Sequence, residues 1–109
     1  MIRHVSVLTF AEGVTDAQVQ QLAEAISVLP QRLAIRRYQF GRDLGLSEGN
    51  ASFGIVADFD SVDHYRAYRD DPEHGRIIAE ILRPLITART VMQASRHSLT
   101  SSGSACRSA

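Results

Sequence analysis

The stretch from Asp58 to Ile78 constrains the fold of this 109-residue chain more than any other segment. Its residues predict the end of a strand, a short helix, a break at a proline and a second helix. Ser61 is a suitable cap for the first helix, Val62 to Asp70. The run Asp71-Pro72-Glu73 then has the features of a new helix start: an Asx cap, a proline at the first helical position and an acid in the first turn. A strand followed by a broken helix indicates a domain in which helices pack on a sheet.

Tyr68 and His74 are predicted to project near this break, where a phenol and an imidazole could move protons without a cofactor. The start of the second helix favours a neutral imidazole, whereas the nearby Asp70, Asp71 and Glu73 favour the charged form. A neutral histidine can take a proton from a carbon between two carbonyls, and the tyrosine can donate to the oxygen that gains charge. Two structural alternatives stay open: His74 as a brace of the helix break and Tyr68 as a packed core residue.

The other segments alternate between strand and helix patterns. Ile2 to Phe10 is rich in Val, Ile, Leu and Phe with polar residues in between, which is typical of a strand. The run Thr15-Asp-Ala-Gln18 has the spacing of a capping box and predicts a helix that Pro30 stops. Two further strands are predicted at Ala34 to Gly41 and at Ala51 to Phe59.

The order of these segments predicts the fold class. The second helical region is expected to end at Pro84, and Leu85 to Ala94 predicts a last strand. The result is an α+β domain, the ferredoxin-like βαββαβ arrangement, with helices on one face of a four-stranded antiparallel sheet. We predict this domain at residues 1–95 and a flexible Ser-rich tail at residues 96–109, whose composition cannot bury enough apolar surface to offset chain entropy.

Apolar residues are predicted on the helix-free face of the sheet as well. Val5 and Val7 alternate along the first strand with the residues of the helix-covered face. With Val56 and Val91 they form an apolar surface too large for a monomer to expose. We therefore expect a homodimer in which two sheets pack face to face as a barrel, because burial of apolar surface stabilises a small domain.

Composition excludes several classes of function. Twelve basic residues balance twelve acidic ones, so the chain lacks the positive charge that nucleic-acid binding needs. No apolar run is long enough for a signal peptide or a membrane helix, which predicts a cytoplasmic protein with no membrane partner. The single cysteine, Cys106, excludes an intrachain disulfide and a thiolate cluster. His4, His64 and His74 lack the close spacing of metal ligands, so no metal is expected.

Four pieces of the sequence, in order, resemble the stress-responsive dimeric α/β-barrel (Dabb) family over roughly residues 1–94. They are Ile-Arg-His-Val-Ser-Val-Leu-Thr-Phe near the start, the central Tyr-Gln-Phe-Gly-Arg-Asp, the later Phe-Gly-Ile-Val-Ala-Asp-Phe-Asp-Ser-Val, and Tyr68-Arg-Asp-Asp-Pro72-Glu-His74. The resemblance implies a dimeric barrel with a small-molecule cavity between sheet and helices. It does not imply one particular reaction.

Within that family the chain is similar to the olivetolic acid cyclase-type polyketide cyclases, which perform an intramolecular aldol condensation without a cofactor. By this similarity His74 and Tyr68 are the catalytic pair and His4 lines the cavity. The first helix carries Leu22, Ala23 and Ile26 where the cyclases have large aromatic residues, so the ligand must have a different shape. The residues predicted to bind substrate are His4, Ser6, Leu8, Leu22, Ile26, Ile55, Ala57, Val62, Tyr65, Arg69 and Ile77.

Several roles stay open. For His4 and Tyr65 the alternative is packing in the core, and Arg69 is the arginine predicted to reach a carboxylate in the pocket. One hypothesis is a cofactor-free cyclase or related carbon-acid catalyst that acts on a polyketide-like or other apolar or aromatic carbonyl compound. Another is a non-catalytic, stress-responsive ligand-binding barrel. A third, a cofactorless monooxygenase, rests on shared fold alone.

Overall fold

Residues 1–95 are described by the structure, a computed structural model, and they form a four-stranded antiparallel sheet with helices on one face. The strands lie in the order β2-β3-β1-β4, and their bounds are β1 Ile2–Phe10, β2 Arg37–Arg42, β3 Phe53–Phe59 and β4 Ile86–Ser95. The helices are α1 Asp16–Ser27, α2 Leu29–Arg32, α3 Val62–Asp70 and α4 Pro72–Ile77. The predicted ferredoxin-like α+β fold is confirmed. The predicted tail at 96–109, with Cys106, lies outside the described residues.

The first helix begins as its sequence predicts and ends differently. The Thr15 hydroxyl accepts from the Gln18 backbone at 3.2 Å, and the Gln18 side chain accepts from the Thr15 backbone at 2.8 Å, which completes the capping box. The helix ends at Ser27, before Pro30, and Pro30 lies in the first turn of α2. Proline is tolerated there because a first-turn N–H has no partner within the helix. Among the described residues, no helix is long and apolar enough to cross a membrane.

The predicted break between α3 and α4 is present and is held by side chains. Ser61 caps α3 by accepting from the His64 backbone at 3.2 Å. Asp71 has extended backbone, with φ −61° and ψ 129°, and caps α4 by accepting from the His74 backbone at 2.9 Å. Arg32 of α2 donates twice to the Asp71 carboxylate, at 3.0 and 3.1 Å. The corner that carries His74 is therefore held both by the Asp71 cap and by the contact from α2.

A π-helical turn, Ile78–Leu82, continues directly from α4, and a 3₁₀ turn, Arg83–Leu85, follows it. Pro84 lies within the 3₁₀ turn, so the helical region continues to Leu85 and ends one residue after the proline at which it was predicted to end. Single π-helical turns within helices occur often at functional sites. Here the turn lies immediately after the helix that carries His74.

Strand register decides which residues face the helices. In β1 the helix side carries His4, Ser6 and Leu8, and all three are buried. Val5 lies on the opposite side, as predicted. The prediction for Val91 is wrong, because Val91 pairs with Ser6 and so lies on the helix side.

The helix-free face keeps an apolar surface without Val91. Val5 pairs with Val56 of β3 on one side and with Met92 of β4 on the other. Val7 of the same face is 39% exposed and Met92 is 57% exposed. Met92 thus takes the place in this surface that the sequence analysis assigned to Val91.

Candidate functional site

A cavity of about 70 Å³ lies between the sheet and the corner formed by α3, α4 and the π-helical turn. The helical side contributes Tyr65, Tyr68, Arg69, His74, Ile78 and Leu82. The sheet side contributes His4, Ser6, Ile55, Arg89 and Val91. The fold thus brings His4, Tyr68 and His74, the two predicted catalytic residues and the predicted cavity-lining histidine, to one cavity.

His74 and Tyr68 form the centre of this site. Their ring centroids are 4.2 Å apart, and the planes are inclined by 40°. Tyr68 lies in the last turn of α3 and is 3% exposed, whereas His74 lies in the first turn of α4 and is half-buried. The extended backbone of Asp71 between the two helices lets these rings, six residues apart in sequence, face one another.

The contacts and burial of the His74 ring favour its neutral form. Its Nδ1 lies 3.4 Å from the Arg69 carbonyl oxygen. A carbonyl oxygen only accepts, so Nδ1 carries the proton in this contact and the lone pair is on Nε2. Burial lowers the pKa of His74, the Arg69 carbonyl opposes this effect, and the positive charge of Arg89 lowers the pKa further. The unprotonated ring is therefore favoured at neutral pH.

Tyr68 keeps the proton of its phenol, so it can act as a hydrogen-bond donor. Burial raises the pKa of its phenol. The Tyr38 hydroxyl lies 3.5 Å from the Tyr68 hydroxyl, at the long end of hydrogen-bond distances, and the pKa of Tyr38 is also raised by burial. A buried neutral phenol can donate a hydrogen bond to an oxygen that develops negative charge.

His4 approaches the same pair from the sheet. It is 7% exposed, and its ring centroid lies 5.3 Å from that of Tyr65 and 5.8 Å from that of Tyr68. Burial, followed by the charges of His74 and Arg89, lowers the pKa of His4 to about 4. The Gln93 amide nitrogen lies 2.9 Å from His4 Nδ1. An amide nitrogen only donates, so Nδ1 accepts and the ring proton is on Nε2.

The other predicted binding residues fall into three groups. Four of them line the cavity together with His4, Tyr68 and His74: Ser6, Ile55, Tyr65 and Arg69. Val62 lines a neighbouring concavity of about 270 Å³ that shares Tyr65 and Arg69 with the first. The remaining five are in the core, at most 3% exposed, and do not contribute to the cavity wall: Leu8, Leu22, Ile26, Ala57 and Ile77.

Sequence reasoning missed part of this site. Arg89 and Val91 line the cavity from β4, and Gln93, two residues further along the same face, contacts His4. Period-2 alternation would have grouped these three residues, but only the pairing with β1 shows which face they occupy. Tyr38 lies within the strand predicted at Ala34 to Gly41, but its contact to Tyr68 was not predicted.

A larger concavity, about 340 Å³, lies elsewhere, where the end of β2 and the start of β3 meet the loop that joins them, and it includes Val7, Arg42 and Phe53. We place the candidate site in the smaller cavity because that is where the histidine and tyrosine rings meet. Within residues 1–95, no group of three His, Cys, Asp or Glu side chains is positioned to hold a metal ion.

Comparisons with known proteins agree on the fold. The model of the "Stress responsive A/B Barrel Domain" family, Dabb, matches residues 2–95. A dimeric ferredoxin-like protein of unknown function from Thermobifida fusca YX shares 40% identity and superposes with a TM-score of 0.80, over 87% of this chain and 90% of that one. No curated protein sequence matches significantly.

Two more distant structures are similar in fold. A Dabb family protein from Mesorhizobium loti has 17% identity and a TM-score of 0.74, over 89% of this chain and 97% of that one. The hydroxynitrile lyase from Passiflora edulis has 16% identity and a TM-score of 0.78, over 89% of this chain and 94% of that one. Identities this low show a common fold and carry no activity to this chain.

Proposed function

This chain belongs to the stress-responsive A/B barrel (Dabb) family, and on that premise we propose that it is a homodimeric small-molecule-binding barrel that performs cofactor-independent, aldol-type carbon-acid chemistry on a polyketide-like or other apolar carbonyl compound. One observation carries the proposal: the rings of His74 and Tyr68 meet on the wall of a cavity, with their centroids 4.2 Å apart, and burial favours the neutral form of both. Groups whose environments favour opposite roles in proton transfer are typical of acid–base sites.

His74 is the base in this proposal. Its Nε2 takes a proton from the carbon between two carbonyl groups, and the electron pair of the broken C–H bond moves to a carbonyl oxygen. The Tyr68 hydroxyl donates to that oxygen, which stabilises the enolate. The enolate carbon then attacks the carbon of a further carbonyl group in the same molecule. The proton on His74 passes to the alkoxide that forms.

His4 orients the ligand. Because Gln93 donates to Nδ1, the neutral His4 ring presents its other nitrogen as a donor. With its pKa lowered to about 4, this ring stays neutral at neutral pH and does not compete for the proton that His74 accepts. The two histidines thus hold opposite tautomers, one accepting and one donating.

Ligand size follows from the two adjoining concavities. A volume of about 70 Å³ is small beside the usual 300–1,000 Å³ of small-molecule sites. The neighbouring concavity of about 270 Å³ shares Tyr65 and Arg69, so a ligand can place its reacting carbons near His74 and extend past these two side chains. Movement of Tyr65 or Arg69 would join the two spaces.

The homodimer is supported by the helix-free face. Val7 and Met92 leave apolar surface on a sheet that has helices on its other side only. The Thermobifida fusca relative, 40% identical, is described as dimeric. We expect light scattering after size exclusion to give twice the chain mass for the wild type and a shift toward the monomer for Val7→Arg. The control is Val28→Arg at the junction of α1 and α2, a valine of similar exposure. A wild-type protein that is monomeric at micromolar concentration would refute the dimer.

The catalytic proposal is tested by proton exchange. A panel of alkyl- and aryl-substituted 1,3-dicarbonyl compounds is followed by NMR in deuterated buffer, with the buffer rate subtracted. We expect exchange above background for the wild type and a loss of roughly 100-fold or more in His74→Ala and in Tyr68→Phe. The control is His64→Gln at an exposed position of α3. Undiminished exchange in His74→Ala would remove this residue from the mechanism.

A cyanohydrin is a useful second substrate, because the Passiflora edulis relative is a hydroxynitrile lyase and the same base and donor could act on it. The small volume of the cavity favours a second candidate function, a barrel that binds a ligand without turning it over. Binding in the absence of any exchange or cleavage across the panel would support that alternative.

A further inference from the structure

We propose that Arg89 binds a carboxylate of the ligand, so that the cavity selects carbonyl compounds that are also acids over neutral ones. The proposal rests on the proposed function in one respect, namely that this cavity is where the ligand binds. It adds a specificity residue and a chemical class, oxo acids, that the catalytic pair does not define.

Position is the first argument. Arg89 pairs with Leu8 in the register of β4 with β1, so it lies on the helix side of the sheet. It lines the same cavity as His4, His74 and Tyr68. The catalytic pair is on the helical wall and Arg89 is on the sheet wall, so one ligand placed between them can contact both.

The Arg89 guanidinium is also unpaired, since it makes neither a hydrogen bond nor an ion pair within residues 1–95. Most arginines of this region are paired with a nearby carboxylate. Arg69, the other arginine on the cavity wall, donates to the Asp70 carboxylate at 2.8 and 3.0 Å. From the sequence, the carboxylate contact was predicted for Arg69. The structure makes Arg89 the better candidate, because Arg69 is already paired.

The charge of the cavity is the third argument. Its wall includes two arginines and no aspartate or glutamate. Both histidines are neutral at neutral pH, because the pKa of His4 is lowered to about 4 and that of His74 is also lowered. The positive charge of Arg89 contributes to both shifts. A planar guanidinium matches a carboxylate with two parallel hydrogen bonds, so an anionic ligand complements this wall.

Binding of an anion would also act on the base. A carboxylate at Arg89 offsets the positive charge that lowers the pKa of His74. The pKa of His74 should therefore rise when an oxo acid binds, and the ring becomes a stronger base when substrate is present. This rise is a direct readout that does not require turnover.

The test compares an acid with its neutral analogue, 4-oxopentanoate with methyl 4-oxopentanoate, by NMR titration of ¹⁵N-labelled full-length protein. We expect the wild type to bind the acid roughly 10- to 100-fold more tightly than the ester. Arg89→Gln should remove that preference, and Arg89→Lys should keep part of it. The matched control is Arg83→Gln, an exposed arginine of the 3₁₀ turn that does not line the cavity.

Equal affinity of the wild type for acid and ester would overturn the proposal, as would a preference that survives in Arg89→Gln. If Arg89→Gln does not fold, the pKa of His74 measured in the wild type with and without the acid decides the matter, and an unchanged value overturns it. Failure of the catalytic proposal looks different. In that case the acid binds through Arg89 while no exchange of carbon-bound protons occurs.

Discussion

Removal of the buried His4 ring is expected to flatten the dependence of stability on pH. His4 is 7% exposed, contacts two tyrosine rings and accepts from Gln93, so the folded protein favours its neutral form. Burial is the main reason that its pKa is about 4, and the charges of His74 and Arg89 add to the effect. The substitution His4→Asn keeps a polar side chain at this position and removes the titrating group.

The magnitude follows from proton linkage. In the unfolded chain His4 has its ordinary pKa of 6.5, so between pH 6.5 and about pH 4 the unfolded state binds a proton that the folded state does not. The stabilisation is therefore fully present above pH 6.5 and is lost as the pH falls toward 4. A gap of about 2.5 pH units, at about 1.4 kcal/mol per unit, gives at most about 3 to 4 kcal/mol. Water that enters the cavity reduces this figure.

The assay is urea unfolding at a series of pH values from 4 to 7.5, followed by circular dichroism because the chain contains no tryptophan. Protein concentration is held constant, since the stability of a dimer depends on it. We expect the wild type to lose more stability than His4→Asn over this range, and the exposed-site control His64→Gln to follow the wild type. Parallel curves for the wild type and His4→Asn would refute the assignment of His4 as a buried neutral ring.

Three further predictions concern the corner between α3 and α4. Activity should be constant near neutral pH and fall on acidification below 6.5, because His74, whose pKa is lowered, then becomes protonated. A pH–rate profile with no acidic decline would contradict its proposed role as base. Asp71→Ala, which removes a helix cap and the partner of Arg32, should lower Tm by several degrees in a thermal melt, and Asp63→Ala on the exposed face should change it little. Tyr38→Phe should reduce kcat less than tenfold and Tyr68→Phe much more, since in the proposed mechanism only the Tyr68 hydroxyl donates to the substrate; equal losses would reassign the donor.

Local sequence signals predicted the helix starts well. The capping box at Thr15 and the Asp71 cap depend on residues three apart, so their geometry follows from the sequence of a single turn. The alternation in β1 is also local, and it assigned His4 and Ser6 to the helix-covered face. The proximity of Tyr68 and His74 followed because the break itself was predictable.

The composition of the cavity wall was much less predictable, because it depends on strand register. Val91 was placed on the wrong face, although its strand was predicted within one residue at each end. A shift of one residue exchanges the two faces of a strand, and nothing within β4 itself fixes its pairing with β1. For the same reason Arg89 was not recognised, while the core residues Leu22 and Ile26 were assigned to the ligand from the resemblance alone.

The contrast between the corner of α3 and α4 and the sheet wall of the cavity indicates which part of the site determines specificity. The proposed acid–base pair lies at the corner where α3 ends and α4 starts, so its geometry is protected by the same contacts that stabilise the fold. The sheet wall opposite is different, because Arg89 and Val91 lie on β4, an edge strand in which nine of the ten residues are exposed. Substitutions there should change which ligand is accepted without disturbing the pair. On this reasoning Arg89→Gln alters the choice between acid and ester while leaving the His74–Tyr68 geometry intact, and Asp71→Ala disturbs both.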